Sequence, residues 1–400
     1  MRIGIYNEPS GNVGGSEYVV SVLAHALSMR HHVEVIHHNR RLSVDQLADF
    51  SGLDLDKVRL RFVARQNRPD PSSPSGLRNL RRRYQAQVGW HADLSRPYDV
   101  FITSTHGVPP FCHAPTGVLL TLFPFHDRAS LWPWADDALS RNRFLKKQVR
   151  RQYSNWVWQK RFASYRYRLS ISDYARQWTR ARWGIDTEVL YPPVDTSFDQ
   201  TPKTNLVLSV GRFSTSSHSK RQLDMLSVFR DMSGASLQGW SYYSVGGLID
   251  AAADHVYFGE VKRVAAACGA QVIPNIPRDQ LRSLFAKAKI FWHAAGYGED
   301  DGADPFQAEH FGISTVEAMA AGAVPVVYDK GGQSEIVEHE RSGYLWRELD
   351  QLREFTTRLA HDEELRARMS TAAQLRAQRY TRERFVNNFM QMVPVVGAML

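Results

Sequence analysis

Cysteine is nearly missing: Cys112 and Cys268 are the only two in 400 residues. That excludes the disulfide framework of a typical secreted chain, so the expected setting is the reducing cytoplasm. Long apolar runs are missing too. No stretch of about eighteen apolar residues occurs, and Val393 to Leu400 is too short to span a bilayer. The opening Met1-Arg2-Ile3-Gly4-Ile5-Tyr6 lacks the apolar core of roughly 7–15 residues that a secretory signal needs, and reads as a first strand. A soluble chain is expected, or a peripheral one at the inner face of a membrane. There is no Gly-Lys-Ser/Thr for a Walker loop. None of the fifteen histidines falls into a His/Cys set with zinc spacing.

Acid is scarcer than base, with 41 Asp and Glu against 50 Lys and Arg and a net charge of +9. Such a surface draws anions, among them nucleotide diphosphates, lipid headgroups and nucleic acid. With 43% hydrophobic residues, 400 residues suit two domains better than one core. Short β-branched runs alternate with helical patterns: Arg2–Tyr6, a helix over Glu17–Met29, His32–His37, Val58–Val63, Asp99–Ser104 and Gly117–Phe123. The rhythm restarts with Asn205–Val210, a helix over Gln222–Met232, Ser236–Trp240, Gln271–Ile273, Ile290–His293 and Val324–Tyr328. The alternation predicts an α/β fold of two doubly wound parallel sheets. The proline-bearing stretch Pro192 to Thr204 serves as linker, which gives domains 1–198 and 199–380. Three helical patterns follow Trp346, and the last segment, 381–400, is expected to cross back to the first domain. The segment Arg65–Pro74 is expected to be a mobile loop.

Two glutamates stand out. Glu309 and Glu317 lie eight positions apart, after the strand end Ile290-Phe291-Trp292-His293 and ahead of Ala318-Met319-Ala320-Ala321-Gly322. This is the carboxyl edge of an open sheet, where ligands bind. Ser314-Thr315-Val316-Glu317 matches a capping box, with Ser314 as N-cap and Glu317 at the third helical position. The same geometry has a second use: free N–H groups of Ile313 to Val316 hold a diphosphate, Glu317 accepts from ribose hydroxyls, and Glu309 faces a sugar.

The run from Glu309 through Glu317 to Val327, continued by Gly331-Gly332-Gln333-Ser334-Glu335-Ile336-Val337 and Ser342-Gly343-Tyr344-Leu345-Trp346, resembles the signature of glycosyltransferase family 4. The resemblance implies the GT-B fold, two Rossmann-like domains facing a central cleft. It also implies transfer of a sugar from a nucleotide sugar with retention, and no metal or other cofactor. In that family a Gly-Arg pair and a Lys follow the first strand of the second domain, which implies Gly211, Arg212 and Lys220 at the donor diphosphate. Fixed cations there stabilise charge that develops as the glycosidic bond breaks. Gly14-Gly15 after the first strand resembles the family's glycine loop near donor phosphates or acceptor. A histidine near the transferred sugar corresponds to His126, with His106 as second choice. His293, Phe311, Gly312, Ile313, Ser314 and Thr315 line the donor pocket in this reading, and the loop at Pro274-Asn275-Ile276 meets the base.

Two segments invite other readings. Glu299-Asp300-Asp301-Gly302-Ala303-Asp304 lacks the full spacing of a calcium loop and reads as a polar loop. Residues 141–168 hold ten Lys and Arg, no acid and seven aromatics. They read as packed helices with solvated arginines or as a surface for anionic lipid, and nucleic acid ranks below both. The leading expectation is a retaining transferase using a UDP- or GDP-sugar and a sugar, lipid-linked or small-molecule acceptor. The alternatives are an epimerase or phosphorylase of the same architecture, or a basic binding module with a degenerate donor site.

Overall fold

A computed structural model describes residues 1–8, 14–64, 77–126, 143–215, 219–299 and 305–397. The loop expected at 65–74 lies outside the described residues. The chain groups into two compact units: Met1–Ile171 with Ala175–Leu190 and Val386–Leu400, and Ser172–Tyr174 with Tyr191–Phe385.

The first unit is built on seven strands: β1 (Arg2–Asn7), β2 (His32–His37), β3 (Val58–Phe62), β4 (Val100–Thr105), β5 (Thr116–Thr121), β6 (Tyr167–Ser170) and β7 (Glu188–Val189). Their order is β3-β2-β1-β4-β5-β6-β7, every pairing parallel. β4 and β5 are buried along their whole length, as strands covered on both faces must be. The helices are α1 (Gly15–Ser28), α2 (Val44–Ser51), α3 (Leu77–Ser95), α4 (Arg143–Ala163) and α5 (Asp173–Trp183). In α1 the positions Val19, Val20, Leu23 and Leu27 are all buried. α2 shows how short helices are delimited here: Ser43 and Gln46 exchange side-chain and backbone bonds of 3.1 Å at its start, and Gly52 closes it at φ 66°.

The second unit has six strands: β8 (Thr204–Val210), β9 (Ser241–Gly246), β10 (Gln271–Pro274), β11 (Ala288–His293), β12 (Val324–Tyr328) and β13 (Tyr344–Trp346). They run parallel in the order β10-β9-β8-β11-β12-β13. Its helices are α6 (Gln222–Ser233), α7 (Ala252–Cys268), α8 (Arg278–Lys287), α9 (Ile313–Ala320), α10 (Gln333–Ile336), α11 (Leu349–His361) and α12 (Glu363–Ala377). α13 (Arg382–Met392) and α14 (Pro394–Gly397) close the chain, and from Val386 on it groups with the first unit. The core of the second unit gathers Phe229, Tyr242, Trp292, Val326 and Trp346. Trp292 satisfies its buried indole N–H on Thr356 Oγ1 at 3.0 Å.

Both sheets reverse strand order once, between β1 and β4 and between β8 and β11. The crevice outside such a reversal is the binding place of an open α/β sheet. The expected strand at Ser236–Trp240 is corrected: those residues turn, with Gly239 at φ 77°, and buried Leu237 anchors the turn on Met232 before β9 begins. β6 and β7 have no counterpart in the hydrophobic pattern, being short and carrying Arg168 and Glu188 among few apolar residues.

Candidate active site

Gly211 and Arg212 leave β8 at the reversal point of the second unit. Gly211 N–H donates to Val245 at 2.9 Å, and Phe213 N–H to Gly247 at 2.9 Å, so the backbone stays pinned beside β9 as it exits. A Cβ on Gly246 would stand 1.9 Å from the Gly211 carbonyl oxygen, and one on Gly211 would stand 2.5 Å from Lys220 Cγ. Both glycines clear room, one for a backbone and one for the lysine stem. The long spacer to Lys220, of which residues 216–218 lie outside the described part, therefore still returns the lysine to the strand end. Arg221 follows at φ 54°, a left-handed conformation costly for a residue with a side chain, and its guanidinium pairs with Glu299. Gln222 Nε2 donates to the Arg212 carbonyl at 3.0 Å and its Oε1 accepts from Tyr257 at 2.9 Å. The exposed Arg212 guanidinium itself has no partner among the described residues.

Glu309 receives Lys220 Nζ at 2.5 Å and His293 Nε2 at 2.9 Å, both on Oε2. Burial by itself would raise its pKa, but Lys220 and His293 outweigh burial and hold the carboxyl well below its ordinary range. His293 is 2% exposed, and burial lowers its pKa despite Glu309, so the neutral ring donates Nε2–H. Its Nδ1 has no hydrogen-bond partner among the described residues. The Glu309 loop is held from behind by twin glycines: Gly332 N–H donates to the Glu309 carbonyl at 2.8 Å, and side chains at Gly331 or Gly332 would run into the backbone of Glu309 or Phe311.

α9 starts earlier than the capping box implies. Gly312 at φ 121° is the N-cap, without a side-chain cap, and the helix begins at Ile313. Only glycine turns so abruptly, and the turn moves Glu317 to the fifth helical position rather than the third. Thr315 and Val316 N–H groups already bond the Gly312 carbonyl. The N–H groups of Ile313 and Ser314 remain without an intrahelical acceptor, which narrows the expected anion cradle to these two. Glu317 Oε1 lies 3.7 Å from Arg278 Nη2. Burial raises the Glu317 carboxyl to about 7, against the opposing pull of Arg278, Arg282 and Arg382.

A buried ionised carboxylate, a lysine and a helix N-terminus at a sheet reversal suit an anionic ligand with an attached polyol. The family described as Glycosyl transferases group 1 matches residues 195–376, and Glycosyltransferase Family 4 matches residues 13–198. The chain belongs to glycosyltransferase family 4. An alpha-1,2-mannosyltransferase of Dictyostelium discoideum, named for GDP-Man and Man(3)GlcNAc(2)-PP-Dol, is 25% identical over 246 residues. Those residues are 57% of this glycosyltransferase and 46% of that protein, so the chain spans about half the relative's length. Two solved structures share the fold: Anabaena HepE in complex with UDP-glucose, with 16% identity, TM-score 0.66 and 99% coverage of each chain, and a Rickettsia africae glycosyltransferase, with 12% identity, TM-score 0.65 and coverage of 99% and 98%.

The remaining expected residues are dispersed in the glycosyltransferase. Ile276 is half-buried between β10 and α8, in a turn that Asn275 ties to Leu248 by bonds of 2.9 and 3.3 Å. Phe311 packs its ring on Tyr191 and Tyr380. In the first unit Gly14 caps α1 and donates its N–H to Glu17 at 2.9 Å, with Gly15 as first helical residue. His126 is exposed after β5, its carbonyl accepting from Trp183 Nε1 at 2.7 Å, and the His106 ring stacks on Phe125 at 4.7 Å. No cluster of possible metal ligands occurs among the described residues. Residues 300–304 of the acidic loop lie outside them. Sequence reasoning missed Arg278, Arg282, Arg382 and Asp195, which come together around Glu317 only in the fold.

Proposed function

We propose that this glycosyltransferase moves a sugar from a UDP- or GDP-sugar to an acceptor hydroxyl with retention at the anomeric carbon. The observation that carries this is the ionised Glu309 bracketed by Lys220 and His293, in the loop just ahead of the Ile313 and Ser314 N–H groups that have no intrahelical acceptor. Arg212 and Lys220 take the departing diphosphate; an ammonium has three donors, so Lys220 can keep Glu309 and still reach phosphate oxygens. Glu317 accepts from the ribose hydroxyls, the Ile276 turn meets the base, and Glu309 faces the sugar. As the bond from the anomeric carbon to the β-phosphate oxygen breaks, positive charge on the sugar grows toward Glu309 and negative charge on the phosphate toward Arg212 and Lys220. The acceptor oxygen bonds the same face, and its proton passes to the departing phosphate oxygen. Arg212 and Lys220 supply the charge that a metal would otherwise bring, so in this reading no metal is required.

The mannosyltransferase relative is named for a GDP-sugar and the HepE structure holds UDP-glucose, which supports testing both donors. A matching donor at a concentration of about a hundred times its Kd stabilises the fold by about 2.7 kcal/mol, visible as a thermal shift. NMR of the product then reads the anomer. Retention is expected, and an inverted product overturns the mechanism. Epimer formation without acceptor, or a requirement for free phosphate, points to the other enzyme classes.

The acceptor side includes an anionic membrane surface reached through residues 141–168. No helix among the described residues is long and apolar enough to cross a membrane. α4 divides its aromatics: Trp158 and Phe162 are buried against Trp183, whereas Trp156 is 45% exposed, with Tyr153 stacked on it and Lys160 over its ring at 5.3 Å. An outward Trp beside cations suits a headgroup layer. Vesicles rich in phosphatidylglycerol should co-sediment the protein. Trp156→Ala with Lys160→Glu should weaken this about tenfold, since each basic side chain near such a surface contributes about 1 kcal/mol. Equal binding to neutral vesicles, or none, contradicts the assignment.

A further inference from the structure

Three guanidiniums converge on a single carboxylate next to Glu317. Asp195 Oδ2 lies 2.5 Å from Arg282 Nη1, 3.3 Å from Arg278 Nη2 and 3.4 Å from Arg382 Nη2. Arg278 also pairs with Glu317, at 3.7 Å, so it stands between two carboxylates. It is the first residue of α8, after Pro277 at φ −56° and the Asn275 turn pinned to Leu248, which leaves its backbone little freedom. Its side chain is 27% exposed and that of Glu317 14%, so Glu317 is largely buried but keeps an accessible edge.

We propose that Arg278 is a positioning residue for the nucleotide: it fixes the Glu317 carboxylate toward the ribose hydroxyls and so sets a preference for ribose over 2′-deoxyribose. This rests on the donor-binding reading of Glu317 given above. A charged carboxylate accepts hydroxyl hydrogen bonds more strongly than a neutral acid does. Burial drives Glu317 toward its neutral form and Asp195 adds to that, while Arg278 leads the opposing charges, with Arg282 and Arg382 behind it. Nucleotide affinity that depends on ionised Glu317 therefore strengthens as pH rises through about 7. Without Arg278, Asp195 and burial act together and that rise moves to higher pH.

Calorimetric titration with UDP, GDP and their 2′-deoxy forms across pH 6 to 9 (about the range where Glu317 titrates) tests this. The native protein should prefer the ribose form by roughly tenfold or more. In Arg278→Met the ribose form should bind about tenfold more weakly at neutral pH while the 2′-deoxy form changes little, so the preference collapses, and high pH should restore part of it. Arg278→Lys should recover an intermediate preference. Asp195→Asn removes the like charge and should shift the pH dependence the opposite way, which keeps the test open should Arg278→Met not fold. An unchanged ribose preference and pH profile in Arg278→Met, or a shift of the same sign in Asp195→Asn, overturns the role of Arg278. If the native protein binds no nucleoside diphosphate, it is the donor-site reading that fails instead.

Discussion

Glu309→Gln lowers sugar transfer by about 10²- to 10³-fold, the cost of removing one preorganised charge from a transition state, roughly 2.7–4 kcal/mol. The substitution keeps the shape of the side chain and removes its charge. Affinity for UDP or GDP should hardly change, because Glu309 faces the sugar and Glu317 the ribose. The loss then appears in kcat rather than in KM, the mark of an interaction made mainly in the transition state. The pH dependence separates the two glutamates. Lys220 and His293 keep Glu309 ionised far into acid, so kcat should be flat through neutrality, whereas KM for the donor should fall as Glu317 ionises near pH 7. Lys220→Ala leaves the Glu309 charge with only a neutral histidine, and should cost about 3–5 kcal/mol of stability by urea unfolding. Combining it with Glu309→Gln should recover part of that loss, since the uncompensated charge disappears. A double variant whose loss equals the sum of the singles, together with undiminished kcat in Glu309→Gln, removes Glu309 from the site.

Much of this arrangement can be read from the sequence, because the signals are local. Glu309, Glu317 and the glycines between and after them occupy one stretch of chain, and the strand before Arg212 is a continuous apolar run. β2 and β12 have the bounds that their hydrophobic patterns predict. Two kinds of feature escape. The start of α9 is set by a backbone conformation at Gly312, and Ser314 offers a better cap on paper than the one used. The Asp195 cluster joins side chains from positions 195, 278, 282 and 382 beside Glu317, and each of those four reads alone as a solvated charge. Lys220 falls between the two kinds. Its spacing from Arg212 is unusual, and only the close approach of its stem to Gly211 explains how the spacing is absorbed.

Gly246→Ala should abolish nucleotide binding while its neighbour Gly247→Ala leaves binding intact. The two glycines follow one another at the end of β9, and composition gives no reason to separate them. Gly246 is paired with Pro274 in the sheet, its carbonyl accepts the Asn275 N–H at 2.9 Å, and an added methyl would stand 1.9 Å from the Gly211 oxygen. No flexible side chain is available to yield, so backbone must move. The moving backbone carries Arg212 on one side and meets the Lys220 stem on the other, and the Ile276 turn hangs from the same strand end. A methyl on Gly247 meets only Arg212 Cγ, at an ordinary 3.6 Å. Gly246→Ala should therefore cost about 3 kcal/mol or more, at the upper end for overpacking, and Gly247→Ala less than about 1 kcal/mol. Urea unfolding gives the stabilities and thermal shift with UDP or GDP gives the binding. Should Gly246→Ala bind nucleotide as the native protein does, the close approach of β9 to Gly211 is not what positions Arg212 and Lys220, and the glycosyltransferase must hold these cations through the Gln222 and Arg221 contacts alone.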